Sequence, residues 1–467
     1  MKIGIFIFRR DLRLEDNLGL IKLQNHVDIV IPIFILDIKQ IKKNKTNVYY
    51  FSNNAVQFMC ESLNNLNENL KKHNSRLRLY YGNPYKIINK LIKWILNKYN
   101  DIYLGYNKDY SKYSVNRDNK INILCTKNNI TLIIEENDYT LIPLKNIIKI
   151  DNTGFKQFGA FYKNATKYTV PKPITKIIYK FLNKNIETKS EFNIDNLKKF
   201  YKYNKFLSQN GGRTMALNKL DSIKNYINYN DLRDRLDYNT THLSAYLNFG
   251  CISVREAYFK INKSLGSTSQ ILKQLYWRDF FLQALIYLKN GNEYKHMDDR
   301  YNNINWTNNK HYWEQLINSN TGFLLIDAAM NELKISGFMH NRARMLVGVF
   351  WTKYLHIDIF HRKYGSQVGF SKYLVDAIGP SQNKFNHQWI TEFDYPGKKY
   401  APSTSKIAGR PMDISNKMIK KFDPECKYIK KWLPHLKNID NKILINWNKT
   451  IFDAKEKYNE WIEMCKN

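Results

Sequence analysis

Val27-Asp28-Ile29-Val30-Ile31-Pro32-Ile33-Phe34-Ile35-Leu36 is almost unbroken in apolar side chains, many of them β-branched. A strand wetted on one face alternates polar and apolar residues. A run without alternation predicts a strand covered on both faces. Ile3–Phe8 has the same character, and Leu77–Tyr81, Ile102–Tyr106 and Ile130–Glu135 are shorter versions of it. Between them, Ala55–Lys72 and Pro84–Lys98 carry apolar residues at helical spacing. Strands alternating with helices predict a parallel sheet with helices on both faces, so residues 1–135 read as an α/β domain.

Outward from that domain the pattern changes. Residues 136–200 read as a connector, with Pro171 and Pro173 in a basic stretch. Beyond about residue 200 the helical period takes over, in Leu243–Phe249, Ile271–Leu288, Gly322–Lys334 and Phe338–Tyr354. Residues 201–467 are therefore expected to form a large all-α domain. The 467 residues suffice for two cores, and 43% hydrophobic content is ordinary for a globular chain. No apolar run reaches membrane-spanning length, and the N-terminus lacks a signal-peptide pattern. An intracellular, non-secreted protein is the expectation, with a monomer as the default. The five cysteines are scattered with no paired spacing, which argues against a disulfide framework, a zinc site or an iron–sulfur cluster. A net charge of +33 fits a polyanion partner and fits equally the Lys, Asn, Ile and Tyr bias of an AT-rich genome.

Three clusters could carry chemistry. Gln274, Trp277 and Arg278 lie three and four residues apart, so an amide, an aromatic plane and a cation share a helix face. The trio could bind a flat heterocycle; the same spacing suits a core Trp beside a surface Arg. Asn341, Arg344, Met345 and Gly348 fall on one face of a second helix. An inward Arg344 would need a partner, and Asp376, in the apolar stretch Tyr373–Ile378, is the candidate for a pair that could equally be an ordinary helix–helix bridge. Thr240-Thr241-His242-Leu243-Ser244 precedes a helical run, where hydroxyls and N–H groups could bind phosphate or simply cap the helix.

In order along the chain, Phe8–Asn17, Asp109–Asp118, Thr240–Ser244, Trp277–Phe280, Thr321–Met330, Met339–Met345 and Phe422–Pro434 resemble the motifs of the photolyase/cryptochrome family, closest to class I cyclobutane pyrimidine dimer photolyases. The resemblance implies a Rossmann-like antenna domain followed by a helical domain that binds FAD, and a light-driven DNA repair enzyme. Tyr229, Thr240, Thr241, His242, Leu243 and Ser244 would hold the FAD phosphates and ribityl chain. Asn341, Arg344, Asp376, Ala377 and Ile378 would meet the flavin, and Asn383 or Gln382 would face its N5 atom. Gln274, Trp277, Arg278, Asn341, Arg342, Met345 and Trp389 would contact the lesion in damaged DNA, with Gln274, Met345 and Asn383 nearest the reaction. Excited, reduced flavin would pass an electron to the dimer and recover it after the split.

The branch that repairs the (6-4) photoproduct carries two histidines where Asn341 and Met345 stand, which favours cyclobutane dimers; Gln274 replaces a carboxylate usual in the dimer branch. The departures cluster at residues 376–389. Ile378 replaces a second Asp, and the first Trp of the expected pair is missing. Ile359 and Leu316 stand where the rest of the family's tryptophan electron chain is expected, so the usual route of flavin photoreduction should be broken. A (6-4) photolyase, a cryptochrome-type photoreceptor and a non-catalytic damage binder are the alternatives. The antenna pigment stays open among a deazaflavin, a flavin or none, because Ser114 holds the place of the glutamate that often binds folate.

Overall fold

The computed structural model describes residues 1–42, 50–188, 190–288, 296, 299–376 and 413–465. Strands β1 (Lys2–Phe8), β2 (Ile29–Asp37), β3 (Arg78–Gly82), β4 (Asp101–Asn107) and β5 (Thr131–Glu135) pair in parallel, in the order β3-β2-β1-β4-β5. Ile3 of β1 faces Ile29 on one side and Ile102 on the other. Central β1 and β2 are buried along nearly their whole length, which is why their sequences do not alternate. β2 begins at Ile29, two residues after the expected start, because Val27 and Asp28 belong to the turn that leaves α1 (Leu18–Gln24).

Helices α2 (Asn53–Lys71), α3 (Pro84–Leu96) and α4 (Lys112–Lys127) make the crossovers. The side chains of Asn17, Ser52, Asn83 and Ser111 each accept a first-turn N–H, so all four sheet helices start on a side-chain cap. The chain reverses its direction of strand addition at β1 and β4. The residues just past their carboxyl ends therefore sit at the switch point of the sheet, where open α/β sheets bind ligands.

The chain packs as two compact units. One holds Met1–Tyr203, Gln209–Ile227 and Thr241–Leu288; the other holds Asn204–Ser208, Asn228–Thr240 and Lys289–Asn467. The sheet thus shares its unit with α5 (Phe158–Ala165), α6 (Arg213–Asp221), α7 (Val254–Leu265) and α8 (Gln270–Tyr287). The second unit is helical among its described residues: α9 (Lys310–Ile317), α10 (Leu324–Ser336), α11 (Asn341–Val349), α12 (Lys427–Trp432) and α13 (Ala454–Met464) are its main elements. Its core gathers Met330, Leu346, Phe350, Trp351, Tyr428 and their neighbours. The helix expected over Phe338–Tyr354 starts later, because the His340 ring Nδ1 accepts the Arg342 N–H and caps α11; it ends in a π turn, Phe350–Tyr354.

The opening residues are built into the first unit. Arg10 donates to Asn248 Oδ1 at 2.8 Å, Arg13 to Asp138 Oδ1 at 2.7 Å, and Arg255 to Asp16 Oδ2 at 2.9 Å. Arg13, Asp16, Asp138 and Arg255 are all buried, so each charge depends on its partner. The five cysteines are buried and free. Among the described residues no helix is long and apolar enough to cross a membrane, and no group of His, Cys, Asp and Glu could hold a metal ion.

Candidate functional site

In the second unit, α11 carries most of the expected residues. Arg344 donates from Nη2 to Asp376 Oδ2 at 2.8 Å and from Nε to the Met339 carbonyl at 2.8 Å. The two charged side chains are 14% and 6% exposed, so the pair is shielded from water without being sealed. Asp376 is delivered by a stretch whose preceding residue, Val375, donates its N–H to the Gly337 carbonyl. Two residues back on α11, Arg342 reaches Asp234 with Nη2 at 2.5 Å and Met345 Sδ with Nη1 at 3.4 Å. Asn341 opens the helix and is exposed, while Met345 is half-buried. Tyr229, in the same unit, is half-buried and its ring lies 6.4 Å from that of Tyr238.

Beneath α11 lies a buried acid that the sequence did not single out. Glu332 on α10 accepts the Tyr428 hydroxyl at 2.7 Å and the His340 N–H at 3.2 Å. Burial pushes its carboxyl up to about 7, against the pull of those two donors. Burial, reinforced by the Arg342 and Arg344 cations, pushes His340 down to about 4, so its imidazole is neutral at physiological pH. The cap it gives α11 is thus independent of pH across that range.

In the first unit, α8 carries Gln274, Trp277 and Arg278. Trp277 lies face to face with Phe158 of α5, ring centroids 3.6 Å apart and planes 6° apart. Arg278 donates to the Tyr139 carbonyl and pairs with Asp279 at 3.5 Å; burial brings the guanidinium down to about 10. Asp279 in turn accepts the Leu141 N–H at 2.7 Å, and burial raises its carboxyl to about 7. Arg278 therefore spends hydrogen bonds holding α8 to residues 139–141. Gln274 is half-buried.

The loop Thr241–Ser244 shows a further departure from simple capping. The turn Ser244–Asn248 has Leu243 at its N-cap and no side-chain cap. His242 adopts a left-handed backbone, φ 53°, and its Nδ1 lies 2.9 Å from Gln209 Nε2. Gln209, Asp234, Glu332 and Phe158 are the residues that sequence reasoning missed. Of these only Asp234 left a trace, in the alternating charges of Asp231–Asp237.

Each unit, taken by itself, carries donors of a kind an FAD needs. The second unit supplies a shielded cation–carboxylate pair suited to the edge of a redox ring, and the phenol of Tyr229. The first supplies hydroxyls and a helical turn whose N–H groups no side chain caps, which is the chemistry of a pyrophosphate site. Ala377, Ile378, Gln382, Asn383 and Trp389 lie outside the described residues.

Known proteins resemble this chain over nearly its whole length. A family model described as DNA photolyase matches residues 5–176, and one described as the FAD binding domain of DNA photolyase matches residues 271–464. An archaeal photolyase from Sulfolobus tokodaii, whose crystal structure is described with two FAD molecules, is 33% identical with a TM-score of 0.82, and the match covers 100% of both chains. The deoxyribodipyrimidine photo-lyase of Buchnera aphidicola is 28% identical across 94% of this chain and 90% of its own length. Cryptochrome-2 of Gallus gallus is 26% identical across 94% of this chain and 76% of its own. With an FAD-binding domain recognised on its helical part and an α/β domain on its sheet, the chain belongs to the photolyase/cryptochrome family.

Proposed function

We propose that this protein is a photolyase that uses light to split cyclobutane pyrimidine dimers in DNA. What supports the reading is α11, in which Arg344 donates to Asp376 at 2.8 Å and Asn341 and Met345 stand at the positions that the motif resemblance gives to histidine in the (6-4) branch. Bound, reduced FAD would supply light-driven one-electron donation and recovery. The chain's own residues bind, orient and shield. Thr240, Thr241, His242, Leu243, Ser244 and Tyr229 hold the phosphates and ribityl chain. Arg344, kept in place by Asp376, offers positive charge to an electron-rich ring. Asn341, Arg342 and Met345 meet the lesion, and so do Gln274, Trp277 and Arg278.

A dimer lies inside a duplex and must be extruded, at a cost of a few kcal/mol that is least for damaged bases. Aromatic planes such as Trp277 offset that loss by about 1–3 kcal/mol per base. The net charge of +33 supplies phosphate contacts that do not depend on sequence. Gln274 can serve a thymine ring as donor and acceptor at once. A second flavin, as described for the Sulfolobus tokodaii photolyase, is the antenna reading with most support here. A crevice of about 430 Å³ beside the carboxyl ends of β4 and β5, lined by Tyr106, Lys108, Asn119, Asn122 and Asn137, is a candidate place for it.

The test is to reduce the flavin chemically without oxygen and illuminate the protein with an oligonucleotide carrying one cyclobutane thymine dimer. Thymine recovered in the light and absent in the dark supports the reading. A full FAD complement with no recovery would overturn it and move the assignment to the (6-4) photoproduct or to a photoreceptor.

A further inference from the structure

We infer that Phe158 is a positioning residue for the lesion, fixing the indole plane of Trp277 before DNA arrives. The inference rests on the photolyase reading above, in which Trp277 stacks on the extruded pyrimidine. Two aromatic rings left to themselves prefer an offset or edge-on meeting, because a face-to-face sandwich opposes two negative π faces. Phe158 and Trp277 nevertheless overlap at 3.6 Å and 6°, so their surroundings impose the arrangement.

Those surroundings are specific. Phe280 meets both rings edge-on, at 5.8 Å and 83° to Phe158 and at 5.6 Å and 88° to Trp277. Tyr162 stacks on Phe158 at 5.5 Å and 27°. Further along α8, buried Gln283 clamps the segment that leads into α5. Its Nε2 donates to the Phe155 carbonyl at 2.9 Å and its Oε1 accepts the Phe155 N–H at 2.8 Å. A Cβ on Gly154 would lie 2.7 Å from that same Oε1, so the clamp depends on a glycine there. One helix thus carries both the stacking plane and the device that presses a second ring against it. The face of Trp277 that Phe158 covers is closed to a base, and Phe281 lies 5.7 Å from the same indole at 34°. With the indole immobilised in advance, less ordering cost falls on the binding step.

Dark binding of FAD-loaded protein to matched oligonucleotides, with and without one thymine dimer, tests this. Phe158→Leu should weaken dimer binding roughly twofold to tenfold and leave binding to undamaged DNA unchanged, whereas Phe158→Tyr should retain the wild-type preference. If Phe158 acts through Trp277, the double variant should lose no more than Trp277→Leu alone. Should Phe158→Leu not fold, Phe158→Met, unbranched and of similar volume, carries the same expectation. Wild-type or tighter dimer binding by the Phe158 variant, with a loss in Trp277→Leu, overturns the inference and leaves the photolyase reading standing. An unchanged dimer preference in Trp277→Leu overturns the lesion role of Trp277 and the inference with it.

Discussion

Replacing Glu332 by Gln should make the protein's stability less sensitive to pH, and the size of the effect follows from one buried carboxyl. Glu332 is 8% exposed and accepts two hydrogen bonds, from Tyr428 and from the His340 N–H. Burial raises it from 4.5 to about 7, so the folded protein keeps a proton that the unfolded chain has already released. A raised pKa stabilises the fold fully below about pH 4.5, and that stabilisation is lost as pH climbs through about 7. At about 1.4 kcal/mol per unit over about 2.5 units, the wild type forfeits roughly 3 kcal/mol across this window. Glutamine can accept the same two hydrogen bonds on its amide oxygen and never charges. Urea unfolding at about pH 5 and about pH 8 should therefore show Glu332→Gln gaining roughly 2.5 kcal/mol on the wild type between the two conditions, since part of the loss has already occurred at about pH 5. Other buried acids, and His340, are present in both proteins and cancel in the difference. A wild-type-to-variant gap that is the same at both pH values, or that widens in the wild type's favour, would refute the reasoning.

Two further outcomes are expected. Asp376→Asn removes the charge that holds Arg344 at 2.8 Å; losing a charge-assisted hydrogen bond of about 1.5–3 kcal/mol should lower the melting temperature by several degrees and loosen FAD retention, read by thermal unfolding and by absorbance after gel filtration. Leu316 and Ile359, which the motif resemblance sets at positions of the family's tryptophan chain, are buried aliphatic residues. Blue light with an external thiol should therefore leave oxidised FAD largely unreduced, while chemically reduced protein still repairs; flavin absorbance during anaerobic illumination distinguishes the two.

The parts of this molecule that could be read from residue order are those in which one element carries its own constraint. β1 and β2 are legible because a parallel strand covered on both faces has nowhere to put a polar residue. The Arg344–Asp376 pair is legible because a carboxylate in an apolar stretch of sequence asks for a cation. What stayed hidden depends on pieces brought together by the fold. Helical spacing puts Gln274, Trp277 and Arg278 near one another but says nothing of Phe158 on the indole or of the Tyr139 carbonyl that takes up Arg278. The apolar faces of α7 and α8 announce burial without naming the sheet unit as what they join. Asp234 could be seen as one charge among several, yet its partner Arg342 lies 108 residues further along the chain. The π turn Phe350–Tyr354 has no mark of its own in the residues that form it.

The arginine and aspartate web of the opening residues has a consequence for how the protein is made. Asp16 leaves the ribosome early, but Arg255, its partner, is 239 residues further on. At about 5–20 residues per second, roughly 10–50 s of synthesis separates the two. For most of that interval the apolar strands β1 and β2 are already out, while Arg13 waits for Asp138 and Asp16 waits longer still for Arg255. The nascent chain is therefore most exposed to misassembly in its first half, and a message broken before codon 255 should yield an aggregating fragment instead of a free-standing α/β domain.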